Sequence, residues 1–137
     1  MSTIRKSTLA AACLLLPILA GCGGARATSP KTYEVTGTVR YKNGGPLKEG
    51  MVQFQSATGL TFTITGEIHD GTFALSTLLE SGKKKPGAIP DTYRVIVVPR
   101  GENQIVEQVK PTPEVVTVEA KEESHFDIVV EKIQPSR

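Results

Sequence analysis

From Tyr33 onward, hydrophobic and polar residues alternate with a period of two. Tyr33, Val35, Gly37, Val39 and Tyr41 share one face, while Glu34, Thr36, Thr38 and Arg40 take the other, which predicts a half-buried strand. Asn43-Gly44-Gly45 suits a turn. A second strand, MVQFQ, turns Val52 and Phe54 inward, and a third, LTFTITGEI, keeps Phe62, Ile64, Gly66 and Ile68 in phase. Asp70-Gly71 predicts a two-residue hairpin turn, after which TFALS returns with Phe73 and Leu75 inward. Residues 77–91 are rich in Gly, Pro and Lys and read as the longest loop, and 100–113 read as another. TYRVIVVP, EVVTVE and HFDIVVEK complete the set, and no segment carries a 3.6-residue period. Seven short strands separated by turn signals predict an all-β chain, a single antiparallel β-sandwich over residues 32–133 with a tail at 134–137.

The N-terminal part breaks this pattern. Arg5 and Lys6 precede an apolar run from Leu9 to Ala20. That is about a dozen residues, whereas a membrane-spanning helix needs roughly 20, and Pro17 would weaken one. A basic start, a short apolar run and small residues form an export signal over residues 1–21. Its end, Leu19-Ala20-Gly21-Cys22, resembles the bacterial lipobox. The resemblance implies cleavage before Cys22, a diacylglycerol thioether on its sulfur and acylation of the new amino group. At about 0.8 kcal/mol per buried CH₂, two or three acyl chains hold a protein on a membrane essentially permanently. Residues 22–31 then read as a flexible tether with a reach of roughly 15–18 Å. Gly23 stands where an Asp resembles an inner-membrane retention signal, which favours the outer membrane.

Several motifs resemble a known family. VTGTVRYKNGGPLKEGMVQFQ, GEIHDGTFALST and YRVIVVP are similar to the carboxypeptidase regulatory-like domain, with Gly37, Val39, Pro46, Leu47, Gly50, Val52, Phe54, Asp70, Gly71, Phe73, Tyr93 and Val95 on its pattern. The likeness covers residues 33–99 well and 115–131 loosely. It implies a prealbumin-like (transthyretin-like, broadly immunoglobulin-like) sandwich, and no reaction, since in metallocarboxypeptidases this domain is an accessory unit beside the catalytic one. Where the family often has Pro-Gly-x-Tyr, this chain runs Pro86-Gly87-Ala88-Ile89-Pro90-Asp91-Thr92-Tyr93, a longer approach to the strand. Lipobox and domain together resemble small lipoproteins of Planctomycetes.

Charge and composition narrow the function classes. The 137 residues carry 22% charged and 39% hydrophobic residues, the balance of a globular domain. Without the signal, Lys and Arg fall from 16 to 14 and match the 14 acids, so the mature chain has no electrostatic footprint for nucleic acid. Cys13 leaves with the signal and Cys22 becomes a thioether, so neither a disulfide nor a thiolate metal site is expected within the domain. His69 and Asp70, or His125 and Asp127 with Glu122 and Glu123, lack the convergent spacing a metal needs. Ser81-Gly82-Lys83-Lys84 fits S-x-x-K formally but lies in a Gly/Pro loop without its partner motifs.

The reading is therefore a lipid-anchored envelope protein and not an enzyme, with no cofactor and no metal. Its β-sandwich serves protein binding, adhesion or scaffolding. The alternatives are a small-ligand or carbohydrate-binding module and an accessory subunit of a separate envelope enzyme. Two surfaces are candidates. Lys83, Lys84 and Lys85 would contact anionic lipid headgroups, at roughly 1 kcal/mol per Lys near a charged surface. Ile96, Val98 and Val129 face outward in otherwise apolar strands and would form a partner or self-association patch if those strands are neighbours.

Overall fold

The alternation folds into strands throughout. A computed structural model describes residues 29–101 and 106–134, so the expected export signal, Cys22 and the expected tether as far as residue 28 lie outside the described residues. Ten strands follow in order: β1 (Glu34–Tyr41), β2 (Glu49–Ser56), β3 (Thr63–His69), β4 (Thr72–Ala74), β5 (Ser76–Leu78), β6 (Lys84–Pro86), β7 (Asp91–Pro99), β8 (Val109–Thr112), β9 (Val115–Val118) and β10 (Glu123–Lys132). The chain is all-β among the described residues, as its sequence predicts.

Two features differ from the expected seven-stranded antiparallel arrangement. Eight strands form one hydrogen-bonded path, β8-β10-β1-β4-β3-β2-β7-β9, with β5 and β6 branching from β3. The path curls until β8 returns against β7, which leaves the sheet barrel-like and nearly closed. The second difference is direction: β1 and β10 run parallel, from Glu34 beside Glu123 to Tyr41 beside Val130, while every other pair is antiparallel. A parallel pair needs a long crossover, and here the whole of the intervening domain supplies it.

The predicted inward faces are the ones buried. Val35 and Val39 from β1, Val52 and Phe54 from β2, Ile64 and Ile68 from β3, and Phe73 and Leu75 are buried together with Tyr93, Val95 and Val97 from β7. Val116, Val118, Ile128 and Val130 close the core from the other side. Phe54 lies at the aromatic centre, with its ring centroid 5.6 Å from Tyr93 and 6.0 Å from Phe126 in tilted geometry. Tyr93 keeps its hydroxyl satisfied by donating to the Ile89 carbonyl at 2.5 Å.

The turns are set by local chemistry. Asp70 (φ +49°) and Gly71 (φ +77°) both take the left-handed conformation that a tight hairpin between β3 and β4 requires. The segment expected as the longest loop instead forms the β5–β6 hairpin, with Gly82 at φ +80° in its turn. The longer approach to β7 is strapped down by Gly87 and Ala88. Gly87 donates its N–H to Leu75, its carbonyl accepts the buried Thr77 hydroxyl at 2.8 Å, and Ala88 exchanges both backbone hydrogen bonds with Tyr33. Ser56 caps the loop after β2: its Oγ accepts N–H groups from Thr58, Gly59 and Leu60 and donates to Asp91.

Candidate functional site

The parallel pairing of β1 and β10 assembles two polar clusters that neither strand announces alone. On the outer face, residues 89 positions apart stand side by side. Thr38 donates to Asp127 Oδ1 at 2.7 Å, Thr36 Oγ1 lies 3.2 Å from His125 Nδ1, and His125 Nε2 lies 3.1 Å from the same Asp127 oxygen. The Thr38 hydroxyl first, then His125, holds the Asp127 carboxyl below its ordinary range. Thr36, His125 and Asp127 form a hydroxyl–imidazole–carboxylate row, but the row lies on an open sheet face and its carboxylate is shared with Thr38.

The second cluster lies at the end of the fold where β1 turns toward β2. Tyr41, Lys42, Asn43 and Gly45 from that turn meet Val130, Glu131, Lys132 and Gln134 from the end of β10 around an open depression of about 510 Å³. Lys42 pairs with Glu131 at 3.2 Å, and Lys132 pairs with Glu107 at 3.1 Å while its Nζ sits 5.4 Å from the Tyr41 ring centroid. Burial, and after it the Glu107 charge, push the Tyr41 hydroxyl upward against the opposing pull of Lys132. The lining thus offers paired cations and anions, two side-chain amides, and an apolar floor of Tyr41 and Val130.

The lysine run divides. Lys83 and Lys84 are exposed, whereas Lys85 is half-buried and donates to the Pro30 carbonyl at 2.7 Å. Lys84 and Lys85 belong to β6, so the run is part of a hairpin and not a loose loop.

The apolar trio divides too. β7 pairs with β2 and β9, and β10 pairs with β1 and β8, so the two strands are not neighbours and the condition for the patch is not met. Ile96 and Val98 lie opposite Gln53 and Met51 on the outer face of β2–β7, all four half-buried. Val129 lies opposite Arg40 and Thr112. Met51 therefore joins Ile96 and Val98 in place of Val129.

Both histidines face solvent. His69 lies 3.3 Å from Glu67 beside a small cleft of about 80 Å³, and His125 belongs to the row above. Among the described residues, no three His, Cys, Asp or Glu side chains converge as a metal site would require. The depression escaped sequence reasoning because its two halves, at Tyr41 and Lys132, meet only through the register of β1 on β10. Comparison with protein-family models, with curated proteins and with solved structures gives no match.

Proposed function

We propose that the chain is a bacterial envelope lipoprotein, held on a membrane by acyl chains on Cys22, whose single β domain is a non-catalytic binding or scaffolding module. The reading includes a prealbumin-like sandwich of the carboxypeptidase regulatory-like kind, supported by the motif positions from Gly37 to Val95 and by the burial of Val39, Val52, Phe54, Phe73 and Tyr93 among them. The observation that carries the binding role is the outer face of β2–β7. Met51, Ile96 and Val98 form an apolar strip on this face, next to a β3 whose outward residues Thr63, Thr65, Glu67 and His69 are polar. Such a strip suits contact with another protein or with a second copy.

Sedimentation and chemical crosslinking of the membrane-extracted protein, compared with Ile96→Lys, test it. Loss of association in Ile96→Lys with an unchanged unfolding midpoint supports the reading. Identical association in both proteins removes it.

A second reading rests on the depression at the β1–β2 turn. Its paired charges, its Asn43 and Gln134 amides and the Tyr41 ring suit a small polar ligand such as a neutral oligosaccharide. Titration with cellotetraose, followed by backbone amide shifts, would then perturb Asn43, Glu131 and Gln134. Shifts confined to other residues, or none at millimolar ligand, count against it.

A further inference from the structure

A strap of hydrogen bonds joins the first described residues to the β5–β6 hairpin and the residues that follow it. Lys85 Nζ donates to the Pro30 carbonyl at 2.7 Å, Thr32 Oγ1 donates to the Pro86 carbonyl at 2.8 Å, and Tyr33 and Ala88 exchange backbone hydrogen bonds at 2.9 and 2.8 Å. The described part of the chain therefore begins alongside this hairpin, at Pro30 and Thr32. Six residues lie between Cys22 and Ser29, and seven residue steps span at most about 25 Å at ~3.3–3.6 Å per residue.

We infer that the domain stands on the membrane through this hairpin, with Lys31, Lys83 and Lys84 against anionic phospholipid headgroups and the β1–β2 turn pointing away. This rests on the lipid-anchor reading of Cys22. The hairpin turn runs from Leu79 to Lys83, closed by hydrogen bonds from Leu79 N–H to the Lys83 carbonyl and from Gly82 N–H to the Leu79 carbonyl. Leu78 is 40% exposed beside the exposed Lys83 and Lys84, and Leu79 is half-buried. Exposed leucine next to lysine matches the two layers of a bilayer surface, with acyl boundary for the one and headgroup for the other. Lys31 lies in the strapped segment between Pro30 and Thr32 and is exposed. Glu80 is the one acid between Leu78 and Pro86, so the hairpin is net cationic within a chain that is near neutral without its signal.

Lys85 differs from its neighbours in sequence. Its ammonium is committed to the Pro30 carbonyl, so it braces the strap while Lys31, Lys83 and Lys84 supply the contact. The lysines at the opposite end, Lys42 and Lys132, take no part. Tyr33 and Tyr41 are eight positions apart along an extended segment, a separation of about 26 Å at ~3.3 Å per residue. That exceeds the Debye length of about 8 Å at physiological salt. The same geometry leaves the depression at the β1–β2 turn facing away from the bilayer.

The test uses the full chain, processed in cells, purified from membranes and reconstituted into vesicles. A fluorophore is attached at Ser81→Cys in one variant and at Asn43→Cys in another, and a lipid carrying a nitroxide on its headgroup serves as quencher. In vesicles containing phosphatidylglycerol, the label at 81 should be strongly quenched and the label at 43 should not. Substituting Lys31, Lys83 and Lys84 by Gln should relieve the quenching at 81 while the protein still floats with the vesicles. Equal quenching at 81 and 43 overturns the orientation. Equal quenching at 81 in phosphatidylcholine alone, or no response to the three substitutions, overturns the headgroup contact. Failure of the parent protein to float overturns the acylation of Cys22 and the orientation with it, so the two failures are distinguishable.

Discussion

Gly87 packs its Cα against the carbonyl of Tyr33 so closely that a Cβ there would overlap the Tyr33 oxygen, and its φ of +91° lies in the left-handed region. This contact joins the approach to β7 with the chain just before β1, and Ala88 completes it through two backbone hydrogen bonds. Replacing Gly87 by Ala adds a left-handed penalty of about 1–2 kcal/mol to an overlap cost of about 1–3 kcal/mol. Gly44 provides the control, because its φ is +101° but nothing lies within 4 Å of the added Cβ. Urea unfolding should therefore show Gly87→Ala destabilised by about 2–5 kcal/mol and Gly44→Ala by about 1–2 kcal/mol. Equal losses would mean that the strap adds nothing beyond backbone strain.

Two buried hydroxyls make opposite predictions. Thr77 Oγ1 donates to the Gly87 carbonyl at 2.8 Å, whereas Ser124 Oγ is buried without a partner. Thr77→Val keeps the shape and strands a buried carbonyl, at about 1–3 kcal/mol. Ser124→Ala removes a hydroxyl that makes no hydrogen bond in the fold, and its stability should stay within about 0.5 kcal/mol of the parent or rise. Thermal unfolding of the pair checks both, and a large loss in Ser124→Ala would show a partner for that oxygen.

How much of this was readable in advance follows from the length of each alternating run. In β1, β2, β3, β7 and β10, seven to ten residues of period two fixed which side chains turn inward, and Val35, Phe54, Ile68, Val97 and Ile128 are all buried. β5 and β6 have three residues each and β8 has four, too few for a period to show, and Pro86 and Pro111 inside them read as loop. Register between distant strands is written in neither of them. The pairing of Thr38 with Asp127, the depression between Tyr41 and Lys132, and the separation of Ile96 from Val129 all depend on it. Lys85 likewise read as one of three equal cations, because its acceptor lies 55 positions earlier. The resemblance of Leu19-Ala20-Gly21-Cys22 to a lipobox is local and needs no fold to be read, but it lies outside the described residues.

Asp91 makes the acid limb of stability testable. Burial raises its pKa, but hydrogen bonds from Ser56 and Thr58 and from the Thr92 backbone outweigh burial and hold the carboxyl below its ordinary range. A group depressed in the folded state contributes fully above its unfolded value of about 3.9 and loses that contribution as pH falls through the folded value. The parent should therefore lose stability below about pH 4. Asp91→Asn should be weaker by about 1 kcal/mol at neutral pH, a figure discounted for solvent exposure, and should fall less steeply in acid. Parallel acid profiles for the two proteins would show that Asp91 does not titrate with folding.

The alkaline limb belongs to tyrosine. Burial, with a smaller effect of the Asp91 charge, pushes the Tyr93 hydroxyl far above its ordinary range, and burial with Glu107 pushes Tyr41 upward. A group raised in the folded state contributes stability that is complete below its unfolded value of about 10 and is lost as pH rises toward the folded value. Unfolding should accordingly set in above about pH 10, read by tyrosinate absorbance, which is unobscured because the chain has three Tyr and no Trp. Glu107→Gln separates the two groups. It removes the negative charge that opposes ionisation of Tyr41 and frees Lys132, whose Nζ lies 5.4 Å from that ring. The Tyr41 step should then move to lower pH while the Tyr93 step stays with global unfolding, because Asp91, the acid that acts on Tyr93, is untouched. An unchanged Tyr41 step in Glu107→Gln would show that burial alone sets it, and would remove Glu107 from the electrostatics of the depression.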